Sequence, residues 1–306
     1  MLKQRKYEGN RYKKNQRGNG MYHIVNDFER TMPFDIKAEN IQLVCGNTIP
    51  VYQIETPHDL IRFVGYGKYI NKEIGNVLFR GQNSIYDGAL IPSLYRGKNN
   101  LSKITHKYNN RIEGVFKSNR YFKKINRGVF EPILQHYGIK TPYIDLVDNI
   151  WVALWFASHQ TISKCIKSHE YVYYFRSKKE FAYIELLASD AKDENNQFGI
   201  YTGKESTLVD LRKATPSYFL RPHAQHAYMI RKNEMYPSDY TDLIIGIAKI
   251  PTVTVHKWLG SNEFLKLRFL FPAANFDTGY KVLLDRYPEE DYGAIRHYGS
   301  IQILTD

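Results

Sequence analysis

Residues 242–250 read DLIIGIAKI, a stretch almost continuously apolar. A strand with this pattern has no polar face to offer water, so it has to lie inside a sheet that is covered on both sides. That requirement constrains the fold more than any other stretch. The chain has 306 residues and 43% hydrophobic content, enough to bury a core of that kind as one large domain or two smaller ones.

The remaining elements are placed around this strand. Two short strands are expected within IQLVCGNTIPVYQI (residues 41–54), turning at Gly46-Asn47. Thr56 then caps a helix from Pro57 to about Val64, which ends before Gly65-Tyr66-Gly67. A strand is expected at Val77–Arg80, and a helix over 102–128, where apolar residues recur every three to four positions. Ile133–Tyr137 ends a further helix with Gly138 as its stop, followed by a strand at Tyr143–Leu146 and a helix at Asn149–Ser158. Strands are expected at Tyr171–Phe175, Phe181–Leu186, Ala227–Ile230 and Asp242–Ile250, with a loop over 189–205 and a short helix capped by Ser261. Helices dominate between 100 and 160 and strands between 170 and 250, a segregation that predicts an α+β domain.

Charge is concentrated in two places. The net charge is +12, and residues 1–20 hold seven cationic side chains against Glu8 alone. Residues 98–127 hold nine against Glu113, including Lys107, Arg111, Lys117, Arg120, Lys124 and Arg127, with Tyr108 and Tyr121 interleaved. Such segments suit RNA or DNA, and they also suit a solvated tail and a solvated helix face. Residues 1–20 lack periodicity and are expected to form a disordered basic tail ahead of one domain spanning 21–306. The N-terminus has no signal-peptide core, and the longest apolar run, Ile150–Ala157, is too short to span a bilayer. Two isolated cysteines, Cys45 and Cys165, supply neither a disulfide framework nor a zinc site. Together these features predict a cytoplasmic protein without a membrane partner.

Several chemistries lack their residues. There is no Gly-x-Gly-x-x-Gly after a strand and no Gly-x-Ser-x-Gly elbow. His223 and His226 have a metal-compatible spacing but no third ligand. Asp145 and Asp148 could serve a metal-dependent nuclease, but the usual third acid and lysine are not evident, so no metal is expected. What remains is a set of polar residues mounted on apolar elements: Arg80, Gln135-His136-Tyr137, Asp145, Arg221 and Gln225. Each could be an ordinary buried hydrogen-bonding group, or they could converge on one site.

Four stretches in order carry a family resemblance. FRGQ (79–82) with LIPSLYR (90–96), then LQHYGIKTPYIDLVDNIWVALWFA (134–157), RPHAQHAYM (221–229) and LFPAANFD (270–277) resemble the FRG domain, named for its Phe-Arg-Gly motif. The chain departs from that pattern at Lys140, Pro142, Val147 and Ala227. The layout is similar to that of ADP-ribosyltransferases. The resemblance therefore implies a split antiparallel sheet core with a helical segment inserted around 100–160, and NAD as co-substrate. Bacterial members of that superfamily often act as toxins or in defence against phage, some on nucleic acid. A nucleic-acid target and an antitoxin or chaperone partner are expected on that basis.

On the same basis Arg80, His136, Asp145 and Gln225 are the candidate catalytic residues. Arg80, Gln82, Tyr95, Tyr137, Thr141 and Arg221 are the candidate NAD-binding residues, with Tyr95 and Tyr137 stacking on nicotinamide and Gly81 bending to admit the ligand. The superfamily usually places a glutamate where Gln225 stands, and glutamine cannot act as a base. Asp145 or Glu185 would then supply the carboxylate, or His136 the base. Binding of NAD-like ligands without turnover, and a non-enzymatic nucleic-acid-binding module, are the alternatives.

Overall fold

The structure, a computed structural model, describes residues 36–44, 46, 48–73, 75–86, 88–96, 122, 125–166, 169–194, 198–234, 239–286 and 295–298. In chain order its elements begin β1 (Ala38–Gln42), β2 (Thr48–Gln53), α1 (Pro57–Ile70), β3 (Asn76–Gln82), α2 (Phe130–Tyr137), β4 (Ile144–Val147) and α3 (Ile150–Ala157). They continue through β5 (His159–Ile166), β6 (His169–Arg176), β7 (Phe181–Ser189), β8 (Asp193–Glu194), β9 (Ile200–Thr202), β10 (Ser206–Asp210), α4 (Leu211–Ala214), α5 (Leu220–Ala224) and β11 (Ala227–Lys232). The last are β12 (Ile244–Pro251), α6 (Thr252–Leu259), α7 (Leu267–Leu270), α8 (Thr278–Arg286) and β13 (His297–Tyr298). The class is mixed α+β.

Ten strands form one sheet in the order β1-β2-β12-β7-β3-β4-β11-β10-β9-β8, antiparallel throughout except where β12 lies parallel to β2. A second sheet, β13-β6-β5, is built on the β5–β6 hairpin. Ile244–Ile250 of the DLIIGIAKI stretch enters β12 and is buried on both faces, as its composition requires, while Asp242 and Leu243 belong to a 3-10 turn before it. Ile245, Ala248 and Ile250 enter the core beneath α1, α3 and α6, while Ile244 and Ile247 enter the core on the opposite side. A register irregularity between Ile244 and Gly246 against β7 shifts the alternation, so both faces stay apolar.

Several boundaries differ from the sequence expectation for identifiable reasons. Helix α1 continues to Ile70, through both glycines, because Leu60, Phe63, Val64 and Gly67 are buried. That burial outweighs the roughly 1 kcal/mol that each glycine costs a helix interior. Asn71 Nδ2 then donates to the Gly67 carbonyl at 2.7 Å. The expected Ser261-capped helix is a 3-10 turn (Glu263–Leu265) capped by Asn262, followed by α7. The stretch expected to be a loop over 189–205 carries β8 and β9. Strands β5 and β10 and helix α6 had no strong periodic signal. Of the helical segment expected around 100–160, the described residues contain α2 and α3, separated by β4; the expected helix over 102–128 falls largely outside them. Residues 1–20 and Cys45 also lie outside the described residues. Among the described residues, no helix is long and apolar enough to cross a membrane.

Candidate functional site

Strands β3 and β4 are neighbours in the large sheet, yet their ladder holds one registered pair, Phe79 with Val147. Beyond that pair Arg80 bridges the two strands: its Nη1 donates to the Asp145 carbonyl at 2.8 Å. A cleft of about 440 Å³ lies here, walled by Phe79, Arg80 and Gly81 of β3 and by Asp145, Leu146 and Val147 of β4. His136 at the end of α2 and Gln225, the C-terminal cap of α5, also line it. Arg80, His136, Asp145 and Gln225, carried by four different elements, thus share one cleft.

Gln135 organises the acidic side of the cleft. Its Nε2 donates to Asp145 Oδ2 at 2.8 Å, while its Oε1 accepts from Thr141 Oγ1 at 2.9 Å. Thr141 Oγ1 in turn accepts from Tyr143 N at 3.0 Å, so the amide is fixed from behind. His136 Nδ1 lies 3.7 Å from Asp145 Oδ1. Burial holds the His136 imidazole below its ordinary pKa, although the Asp145 charge opposes the shift. Desolvation would raise the Asp145 carboxyl, but His136, the Gln135 amide and Arg80 outweigh it and hold the group below the usual carboxylate range. The pair is therefore a neutral imidazole beside an ionised carboxylate at neutral pH. The Asp145 side chain is 46% exposed, so a ligand in the cleft can touch it. His136 Nε2 is buried with no hydrogen-bond partner.

Arg80 faces a second carboxylate. Glu185 of β7 is its cross-strand partner, with Oε2 3.9 Å from Arg80 Nε. Gln82 Nε2 donates to both Glu185 oxygens at 3.2 Å. Burial raises the Glu185 pKa, opposed by Arg80 and Gln82. Glu185 is buried between the strands and does not line the cleft. Gly81 does not serve as the expected bend: β3 continues to Gln82. A Cβ at Gly81 would lie 1.9 Å from the Ala153 carbonyl oxygen and 2.8 Å from Ala157 N. The glycine is needed because α3 packs directly on the strand backbone.

The apolar wall consists of Phe156, Tyr174, Phe271 and Tyr298. Tyr174 and Phe271 stack at 4.9 Å between centroids, and Phe271 and Tyr298 at 4.6 Å. Arg96, Lys140 and Arg296 join Arg80 in the lining, against Asp145 as the one carboxylate. Burial, then the like charges of Arg80 and Arg296, hold Arg96 below its ordinary pKa. A second groove of about 590 Å³ adjoins the cleft and shares Arg80, Gly81, Arg96, Phe156, Tyr174 and Arg296 with it. Gln82 lines this groove.

The other residues expected at the site lie behind it. Thr141 is fully buried and holds Gln135. Tyr95 is buried in the core that covers α2. Tyr137, expected to stack on a ligand, is fully buried, and its hydroxyl donates to Asp277 Oδ2 at 2.6 Å. Arg221, expected to bind NAD, is also fully buried; its guanidinium carbon lies 4.3, 4.2 and 4.7 Å from the ring centres of Tyr137, Tyr298 and Tyr280. Arg221 Nη1 donates to the His136 carbonyl at 3.1 Å, which ties this cage to the end of α2.

Of the proposed nucleic-acid contacts, Arg127 sits exposed on a 3-10 turn, and Lys107, Arg111, Lys117, Arg120 and Lys124 lie outside the described residues. Asp148 is paired with Arg212 at 2.6 Å and with His226 at 3.2 Å, so the Asp145–Asp148 pair of the nuclease alternative is split between two networks. Among the described residues, no three His, Cys, Asp or Glu side chains are grouped as a metal would need.

Gln135 stands beside His136 at a helix end, a usable signal for the site, but no motif in the sequence gives it a role. Arg296 and Tyr298 gave none, because they join the cleft through a two-residue strand far from the motifs.

Residues 75–164 match the FRG domain family model. The match spans β3 through most of β5 and so covers Arg80, Gln135, His136 and Asp145; Gln225, Phe271 and Arg296 lie beyond it. No curated protein and no solved structure matches the chain.

Proposed function

We propose that the cleft between β3 and β4 binds NAD and transfers its ADP-ribose to an acceptor, as a toxin or anti-phage effector with an ADP-ribosyltransferase-like layout. The observation that carries this reading is the convergence of Arg80, His136, Asp145 and Gln225 on one cleft with cationic and aromatic walls. Four cationic side chains against one carboxylate favour a phosphate-bearing ligand, and the aromatic wall favours one with planar rings.

In this reading Arg80, its backbone fixed in a central strand, grips the diphosphate or a ribose hydroxyl in fork geometry. The ionised Asp145 faces the ribose as its C1′–N bond breaks and the bonding pair leaves with nicotinamide, which stabilises the positive charge that develops on the sugar. Asp145 then takes the proton of the incoming nucleophile as the new bond to C1′ forms, and His136 supports that carboxylate. Gln225 presents an amide oxygen to a ribose hydroxyl, since its Nε2 is engaged by the Leu270 carbonyl at 2.6 Å. Gln135 and Arg221 are positioning residues.

The test is nicotinamide release from NAD by the purified protein, with and without candidate RNA, DNA and protein acceptors. Asp145→Asn is expected to lower release by at least 100-fold, the lower end of what acid–base groups contribute, while NAD binding persists. Arg80→Ala is expected to weaken NAD binding itself. Absence of nicotinamide release by the folded wild-type protein with every acceptor would refute the transfer, and absence of NAD binding as well would refute the site.

A further inference from the structure

The second groove has no part in the reading above, yet it opens onto the same floor of Arg80, Gly81, Phe156 and Tyr174. We infer that it holds a single strand of nucleic acid and presents it to the transferase cleft, with a phosphate on Arg96 and Arg296 and a base against Tyr86. The inference rests on the transfer reading for its chemistry, and on the shared guanidiniums together with the groove's own Tyr86 and polar side chains for the identity of the ligand.

Charge selects a polyanion. Three guanidiniums, Arg80, Arg96 and Arg296, line the groove against one carboxylate, Glu170, which pairs with Arg296 at 2.9 Å and offsets one of the three. The groove's histidine, His159, is neutral, its pKa lowered to about 4 chiefly by burial. Arg96 donates its Nε to the Ile91 carbonyl at 3.0 Å, and among the described residues no carboxylate pairs with it. Arg96 lines both cavities, so it brings a guanidinium to the seam between them. Guanidinium forks suit phosphate oxygens.

Shape and surface select a strand with exposed bases. Tyr86 lines the groove and is 53% exposed, so its ring is open to a ligand there. Its position is fixed: the hydroxyl donates to Asn83 Oδ1 at 3.0 Å, the same oxygen accepts from Lys179 Nζ at 3.1 Å, and that ammonium lies 5.6 Å from the ring centre. A held, exposed aromatic ring next to cationic groups is how proteins bind single strands without pairing. Gln82, Asn83, Thr161 and Ser163 complete the groove with amides and hydroxyls able to meet sugar and base edges. An acidic protein segment would match the charge but carries a planar ring only at some positions, whereas every nucleotide offers a base to Tyr86.

The test measures fluorescence anisotropy of labelled single-stranded RNA and DNA of about 12 nucleotides, a length within the range such sites cover. The full chain, Tyr86→Ala and Arg96→Gln are compared, each checked for an unchanged melting curve. Tyr86→Ala is expected to weaken binding about 10-fold. Arg96→Gln is expected to weaken it and to lower the slope of log affinity against log salt by about 0.7, the loss of one phosphate contact. Transfer of labelled ADP-ribose to the oligonucleotide supports the inference further. If both variants bind as wild type does, the strand lies elsewhere and the inference fails. If nicotinamide is released but an added protein is labelled in place of the oligonucleotide, the inference fails and the transfer reading stands. If strands bind in a Tyr86-dependent way without any nicotinamide release, the groove's ligand is supported and the transfer reading fails.

Discussion

Replacing Gly81 by alanine separates two accounts of the Phe-Arg-Gly motif. If the glycine admits a ligand, Gly81→Ala leaves the fold intact and weakens binding alone. The structure gives it a different task. The added Cβ would sit 1.9 Å from the Ala153 carbonyl oxygen and 2.9 Å from the Ala153 carbonyl carbon. A relaxed carbon–oxygen contact is about 3.4 Å, so α3 would have to retreat by roughly 1.5 Å. The obstacle is helix backbone, which cannot rotate away as a side chain would. Ala153, Leu154 and Ala157 of that helix are fully buried, so its retreat opens voids across the core it shares with β3 and β7. Overpacking usually costs 1–3 kcal/mol, and backbone contact on a central strand puts this case at about 3 kcal/mol or more. For a chain of this size, with about 2.1 cal/mol/K of unfolding entropy per residue, that lowers the melting temperature by roughly 5 °C. Thermal melts and urea titrations of wild type and Gly81→Ala measure it. A melting temperature within about 2 °C of wild type would refute the packing argument and restore a ligand-access role.

Three further outcomes follow from the same geometry. Asp277 is fully buried and accepts from Tyr137 Oη at 2.6 Å, Leu220 N and Arg221 N at 3.1 Å and Tyr280 N at 2.9 Å, so Asp277→Ala is expected to cost about 3 kcal/mol in urea unfolding. A loss below about 1 kcal/mol would show that this network contributes little. His159 stacks on Trp155 at 4.1 Å, and its folded pKa of about 4 lies below its ordinary value. The unfolded chain therefore binds the proton first: this contribution to stability is complete above pH ~6.5 and declines as pH falls toward about 4. His159→Gln should flatten that part of the stability–pH curve, and an unchanged slope would contradict it. Gln135→Ala removes a donor that helps to depress the Asp145 carboxyl. The Asp145 contribution, present above the unfolded value of ~3.9 and lost as pH falls through the lower folded one, should then fail at higher pH. The acid limb of nicotinamide release should move the same way; a limb that stays in place would remove Gln135 from the site.

Much of the framework could be read from local signals. Continuous apolarity placed β12, Gly138 marked the end of α2, and Asn149 and Ser158 bracketed α3. The cleft was legible as a set of residues but not as a geometry. Arg80, His136, Asp145 and Gln225 carry polar groups on apolar elements, which marks them one at a time. What was hidden was the side of each element that faces the cleft. Tyr137 and Arg221 look like ligand contacts beside His136 and Gln225, yet one helical step turns Tyr137 toward Asp277, and Arg221 lies among rings contributed by residues 137, 280 and 298. Gly81 misled for a related reason: a glycine after an arginine looks like a bend, while the need for it comes from a helix more than 70 residues away.

The central claim is that the opening between β3 and β4 is an NAD site with Asp145 at the reacting carbon. A crystal structure of the Asp145→Asn protein soaked with NAD tests it most directly. The account requires the diphosphate within hydrogen-bond reach of Arg80 and the nicotinamide ribose beside residue 145, against the wall of Phe156, Tyr174 and Phe271. Ligand bound elsewhere on the protein, or an empty cleft at NAD concentrations that saturate any measured binding, would contradict it.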